Sequence, residues 1–375
     1  LRIKNVYPEN EGWLPINIAA DSKNPSFKVD KNGKIDIRWQ QPSYAFHTPN
    51  NKKFETLKGD QKKAALTAHK SDLVNKMVTD VNGVLERAKN GDEAAIAIIN
   101  QANWYRSMRS RLRREFGGLS DVFADILGAT SAMTNVQQNY ENALEVLRGF
   151  VRGDYDKQIE MYKKIADEGG DISSKKLTQM AKDENVDFDL IRNAAGKLFG
   201  NNSAAATTAL LDMFRQIKPG KAPKTINFTG NLIGFGNEAT IDVWAARYLR
   251  DISGKKRIPP PAEKAVAGKH LSQSTSENPQ IGSEFGFGQE VFSAAAKLLN
   301  EQGGIKSFNP NIGDMGADDL QAVVWFLEKE KWTKNGWTTK AGEGGSLDFE
   351  SVYGGSAQPE RVKELRSIIN SVNTT

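Results

Sequence analysis

The chain of 375 residues contains no cysteine. Disulfides and thiolate metal sites are therefore excluded, and with them any iron–sulfur cluster held by cysteine. Histidine is nearly as scarce. His47, His69 and His270 are scattered along the chain, and no zinc or other metal site is expected from them. No apolar run approaches the length of a membrane span, and the first residues carry no signal-peptide pattern. The chain begins at Leu1 rather than at methionine, which reads as a processed or excised piece of something longer.

What is present is ordinary for a soluble globular protein: 38% hydrophobic and 26% charged residues. The length suits two or three domains, or one large domain with extensions. The net charge is +5 and the isoelectric point about 9.0. A basic bias of this size favours polyanions such as nucleic acid. A solvated surface with a slight excess of cations gives the same numbers.

Residues 1–60 are rich in Asn, Pro and Lys and show little helical period. Phe27-Lys28-Val29 and Ile35-Asp36-Ile37-Arg38-Trp39 alternate around Asn32-Gly33, which predicts a β-hairpin within an irregular arm. From about residue 60 the pattern turns helical. Leu73, Val74, Met77, Val78 and Val81 form one stripe, broken by Asn90-Gly91-Asp92. One helix is expected from Glu93 to Phe116. It carries Arg106, Arg109 and Arg113 on a single face. Those arginines are candidates for phosphate contacts, or they suit the negative end of the helix dipole. Gly117-Gly118 stops that helix and Ser120 is the expected cap of the next. Asn135 and Gln137 fall in a polar joint between two helices, where Thr134 is also a plausible cap.

The most informative stretch is Lys218-Pro219-Gly220-Lys221-Ala222-Pro223-Lys224-Thr225, followed by a short apolar helix and then Ile241-Asp242-Val243-Trp244. A Pro-Gly turn at the start of a helix offers N–H groups to a phosphate. A lysine of lowered pKa can attack a sugar carbon and form a Schiff base. A fixed carboxylate stabilises the positive charge that builds on deoxyribose when a base departs. Ile241, Trp244, Ala245, Tyr248, Leu249 and Ile252 make an apolar stripe from which Asp242 stands apart, so that it is expected to face a cleft. The alternative is that Asp242 only caps its helix and Lys224 is a surface lysine near a turn.

The order of these residues resembles the helix-hairpin-helix DNA glycosylases of the endonuclease III type. Pro219, Gly220, Lys224, Asp242 and Arg247 fall at the family's hairpin, lysine, aspartate and arginine positions. The second hairpin glycine is replaced by Ala222, and Pro223 removes one N–H, both of which erode a phosphate grip. The helix expected over Glu290–Asn300 and the run Leu320-Gln321-Ala322-Val323-Val324-Trp325 resemble the tail of uncharacterised phage and mobile-element proteins of this fold. Gly286-Phe287-Gly288 looks like part of a dinucleotide fingerprint, but the third glycine and the preceding strand are missing. No cofactor is expected.

The expected fold is thus mainly α. A glycosylase-like helical core over 61–335, with its hairpin at 218–225, follows an irregular N-terminal arm over 1–60 that contains the β-hairpin. A flexible linker and final helix occupy 336–375. The resemblance implies a phage-type DNA-binding protein that flips a base from the stack for excision or modification. Asp242 and Lys224 would be catalytic. Lys218, Pro219, Gly220, Lys221, Ala222, Asn135, Gln137, Arg106, Arg109 and Arg113 would contact DNA. DNA and other phage proteins are the expected partners, with the host cytoplasm or the virion interior as the setting. The alternative class is a non-catalytic virion or genome-delivered module that is structural or binds nucleic acid.

Overall fold

The computed structural model describes residues 28–29, 35–36, 46–131, 136–153, 223–255 and 282–334, together with Asp156 and Asp183. These residues are mainly helical. Two short strands, β1 (Lys28–Val29) and β2 (Ile35–Asp36), pair antiparallel with Lys28 opposite Asp36. The remainder of the expected hairpin lies outside the described residues, as does everything expected of 336–375. No helix among the described residues is long and apolar enough to cross a membrane.

The chain folds into two compact units, Leu1–Tyr105 with Asn237–Phe349, and Arg106–Gly236 with Glu350–Thr375. The first is built on α1 (Gly59–Lys89). Its stripe of Leu73, Val74, Met77, Val78, Val81, Val84, Leu85 and Ala88 is buried, as the periodicity predicts. Asn90-Gly91-Asp92 ends it, with Gly91 at φ 85°, a conformation open to glycine at little cost. Asp92 then caps α2 (Glu93–Asn100) by accepting from Ala95 N.

The single helix expected over Glu93–Phe116 is divided. A 3-10 turn at Gln101–Asn103 separates α2 from α3 (Trp104–Phe116). The Gln101 side chain donates to the Ala97 carbonyl at 3.0 Å, drawing that carbonyl toward a side chain where the run turns polar. Trp104 and Tyr105, the first residues of α3, close the core of the first unit. Trp104 meets Trp325 edge-on, and the Tyr105 hydroxyl donates to Gln321 at 3.0 Å.

The other helices of this unit are α7 (Val243–Ile252), α8 (Gly282–Glu301) and α9 (Ala317–Lys334). α8 packs along α1, and α7 packs on α9. The sequence placed this helix over Glu290–Asn300, but it starts at Gly282. Gly286-Phe287-Gly288, which looked like part of a dinucleotide fingerprint, lies inside this helix. At Gly288 a methyl group would lie 3.2 Å from the side chains of Ile241 and Leu249, so this glycine lets the helix approach α7 closely.

The second unit contains most of α3 with α4 (Ser120–Thr130), α5 (Val136–Val151) and α6 (Pro223–Ile233). α4 packs against both α5 and α6. Phe116 stacks on Phe123 at 4.1 Å, and Tyr140 closes on Phe123 edge-on. Ser120 does not cap α4, contrary to expectation. Leu119 holds the cap position, and the serine hydroxyl donates to Asp121.

Candidate functional site

Asp242 is half-buried at the N-terminus of α7, with its backbone extended (φ −92°, ψ −172°). Its Oδ1 accepts from Trp244 N at 3.0 Å and from Ala245 N at 2.9 Å. The bland alternative offered by the sequence is therefore realised: the carboxylate caps its helix. The cap also fixes the direction of the carboxylate. The expected apolar stripe is buried at Ile241, Ala245, Tyr248 and Leu249, while Trp244 and Ile252 are half-buried. Arg247 is buried as well, with its guanidinium 4.6 Å from the centre of the Trp244 ring. Lys329 of α9 lies 4.4 Å from the Trp325 ring centre and 5.7 Å from that of Trp244. An aromatic and cationic cluster thus stands beside the α7 entrance.

Lys224 is half-buried and second in α6, directly after Pro223. Proline is favoured at the first helical position, where its missing N–H has no intrahelical role. Lys224 belongs to the second unit and Asp242 to the first, so the pair is divided between units. Lys218, Pro219, Gly220, Lys221, Ala222 and Asn135 lie outside the described residues. Gln137 falls within α5, but its side chain is outside them too.

The arginines of α3 separate in role. Arg109 donates from Nη2 to Asn231 O at 2.7 Å and from Nε to Leu232 O at 3.2 Å. These are carbonyls of the last turn of α6, which lack intrahelical partners. Arg109 is therefore tied to the end of another helix rather than presented along an open face. Arg111 pairs with Glu115 at 2.7 Å. Arg106 is half-buried, whereas Arg113 and Arg114 are exposed.

His47 and His69, two of the histidines that look scattered in the sequence, come together in the first unit, while His270 lies outside the described residues. His69 stacks on Phe287 at 5.8 Å, and His47 meets the same ring at 6.4 Å. The strap Phe46–Asn51 runs over this place. His69 Nε2 bonds Phe46 O at 2.8 Å, and Phe46 N donates to Glu284 Oε1 at 3.3 Å. Lys255 Nζ donates to Pro49 O at 3.3 Å, and Asn50 Nδ2 donates to Gly254 O at 2.7 Å. Beneath it Arg250 and Glu284 form a buried ion pair at 3.6 Å.

Burial pushes both imidazoles below their ordinary value. The Glu284 charge opposes this at His47, and the bond to Phe46 O opposes it at His69. Burial also pushes the Lys255 amine down to about 8. The sequence reading missed this group because its members stand far apart in the chain. The faint signal available was Lys255 directly after a helix-ending Gly254. Among the described residues no group of three or more His, Asp or Glu side chains is placed to hold a metal ion.

Compared with known proteins, the chain matches no family model, no curated protein and no solved structure.

Proposed function

We propose that this chain binds DNA and carries a glycosylase-like site, acting in base excision or base modification, with Asp242 and Lys224 as its reacting groups. The observation that supports this reading most is the Asp242 carboxylate, half-buried and aimed by two N–H groups at the entrance of α7. A carboxylate whose direction is fixed before substrate arrives stabilises a sugar cation without reorganising. Lys224, set in the first turn of α6 and half-buried, supplies an amine for attack at C1′, or a phosphate contact where no covalent step occurs. The helix-hairpin-helix core, the hairpin at 218–225 and the β-hairpin arm belong to this same reading. So do DNA as partner, other phage proteins, and a setting in the host cytoplasm or the virion interior.

Borohydride trapping on an abasic duplex tests it. A covalent adduct with the wild-type chain, absent from Lys224→Ala, is the expected result. Asp242→Asn keeps a capping side chain and should lose base release while still binding DNA. The enzyme reading fails if no adduct forms and Lys224→Ala binds as tightly as the parent.

A second reading is a structural or nucleic-acid-binding module without chemistry. It is favoured by Arg109, a candidate phosphate contact, and Arg247, the arginine of the resemblance, both of which the fold employs internally, one on carbonyls and one on Trp244. Salt-dependent duplex binding with no product from any modified base would favour this second reading.

A further inference from the structure

The strap Phe46–Asn51 belongs to no helix, and its bonds to α1, to the end of α7 and to α8 run through side chains. Glu284 accepts from Phe46 N, His69 bonds Phe46 O, Lys255 donates to Pro49 O, and Asn50 donates to Gly254 O. The Phe46 ring is fully buried, with the Arg250 guanidinium 5.8 Å from its centre. A segment fastened in this way can come off while the helical hydrogen bonds beneath it stay closed.

Two imidazoles sit within that fastening, one in the strap and one beneath it. A carbonyl only accepts, so His69 Nε2 carries its proton toward Phe46 O. His47 meets the Phe287 ring edge-on, and its Nδ1 is buried with no hydrogen-bond partner. The bare nitrogen of a neutral ring tolerates such a place. The N–H of a cationic ring does not, because a buried charged donor without an acceptor is costly.

The charges around the pair set the sign of the effect. Asp72 and Lys76 of α1 act on His69, Glu284 acts on His47, and Lys255 acts on both. Arg250 faces Glu284, and Glu55 acts on Lys255. Lys70 and Glu290 pair with each other between α1 and α8. Glu284 already faces Arg250 and Phe46 N, and Asp72 already pairs with Lys76 at 2.8 Å. Each of these carboxylates thus has a cation before either ring is charged. A proton on either ring adds one more positive charge near Lys255, in a place shut off from water.

We propose that Phe46–Asn51 is an acid-released latch, which lifts from the first unit when His47 and His69 take up protons and uncovers the seat of Phe46 while the helices keep their fold. This does not depend on the function proposed above. Closed, the latch holds both rings below their ordinary value; lifted, it returns them to about 6.5. Opening therefore binds protons, and the open fraction grows as the pH falls below about 6.5. Lys255 has the same sign at higher pH. Its proton favours the open form between 10.5 and about 8, and below that it no longer alters the balance.

Hydrogen exchange of the full chain, read by mass spectrometry at about pH 7 and about pH 5.5, tests the latch once intrinsic amide rates are divided out. It compares the peptide 46–56 with the α1 peptide 73–88. Opening of the first should rise about eightfold for each imidazole that is neutral only when closed. The second should keep its protection, with circular dichroism unchanged. His47→Gln/His69→Gln should remove the rise, since an amide can still donate to the Phe46 carbonyl but cannot titrate. His47→Phe keeps a flat ring and should retain the His69 share alone.

The same pH response in the double variant would overturn the latch. So would a strap that loses protection only together with α1. An NMR titration of the wild-type imidazoles needs no variant, and decides the matter should the double variant lose the strap altogether. Both rings titrating below about 6.5 is the expected result, and either ring at or above that value overturns the proposal.

Discussion

Two regions of this molecule carry concentrated positive charge, and they use it differently. In the first unit Arg247, Arg250 and Lys255 are buried within or just after α7, each set against a ring, a carboxylate or a carbonyl of its own fold. In the second unit α3 holds Arg109 against carbonyls while Arg113 is exposed. A net charge of +5 counts both groups alike. The buried cations are bound into their own fold, whereas an exposed one is not fixed by burial. Charge in a sequence therefore speaks to function only after burial has been subtracted.

The sharpest way to break this contrast is at Glu284. Removing its charge takes the Glu284 carboxylate from the buried Arg250 and loosens the bond to Phe46 N. Glu284→Gln should cost about 3 kcal/mol, the usual penalty for breaking a buried pair from one side. Urea unfolding would measure it, and a cost under about 1 kcal/mol would show that the pair contributes little.

In the second unit the comparable test is Gly234→Ala. It must both strain a positive φ and displace the Arg109 guanidinium. It should cost about 2 kcal/mol. Gly91→Ala is the control, because Gly91 has φ 85° but nothing within 4 Å of an added methyl. Its cost should be about 1 kcal/mol, from backbone strain alone.

Next in size is a pH effect confined to the first unit. The Lys255 amine titrates at about 8 in the fold against 10.5 in an unfolded chain. Between those values the unfolded state holds more protons, so stability rises with pH. The rise is at most about 1.4 kcal/mol per pH unit, and Lys255→Met should flatten it. The depressed imidazoles of His47 and His69 have the same sign. Their contribution is whole above about pH 6.5 and falls as the pH drops below it. His69→Gln should reduce that acid slope in melting curves.

Smaller still is the cap at α7. Asp242→Ala should cost about 1 kcal/mol and Asp242→Asn only a few tenths, whatever chemistry the carboxylate performs. Equal losses from the two variants in urea titrations would mean that charge rather than capping matters there. Least affected should be the Arg113→Gln variant, whose stability should stay within about 0.5 kcal/mol of wild type because that side chain is exposed.

The helical class was legible from periodicity, and so was the buried face of α1, because apolar spacing of this kind reports local geometry directly. Element ends were less so. The break at Gln101–Asn103 goes with a side chain that bonds the Ala97 carbonyl, and the glycines at 286 and 288, poor helix formers by themselves, lie inside α8. Asp242 was recognisable as a helix-entrance residue, since capping is local. The cluster of His47, His69, Lys255 and Glu284 was not, because its members meet only through tertiary packing. Nor was the role of Arg109, whose spacing on α3 is the same whether it meets a phosphate or the end of α6.

The amine beneath Phe46–Asn51 also serves as a gauge of motion. Acylating reagents attack only a neutral lysine, and at mildly alkaline pH a large share of Lys255 is already neutral while surface lysines remain charged. Yet at 6% exposure it is shielded until the segment above it lifts. The rate at which this one side chain acquires label therefore counts how often that edge of the protein opens, and gives its local opening free energy without any unfolding of the whole.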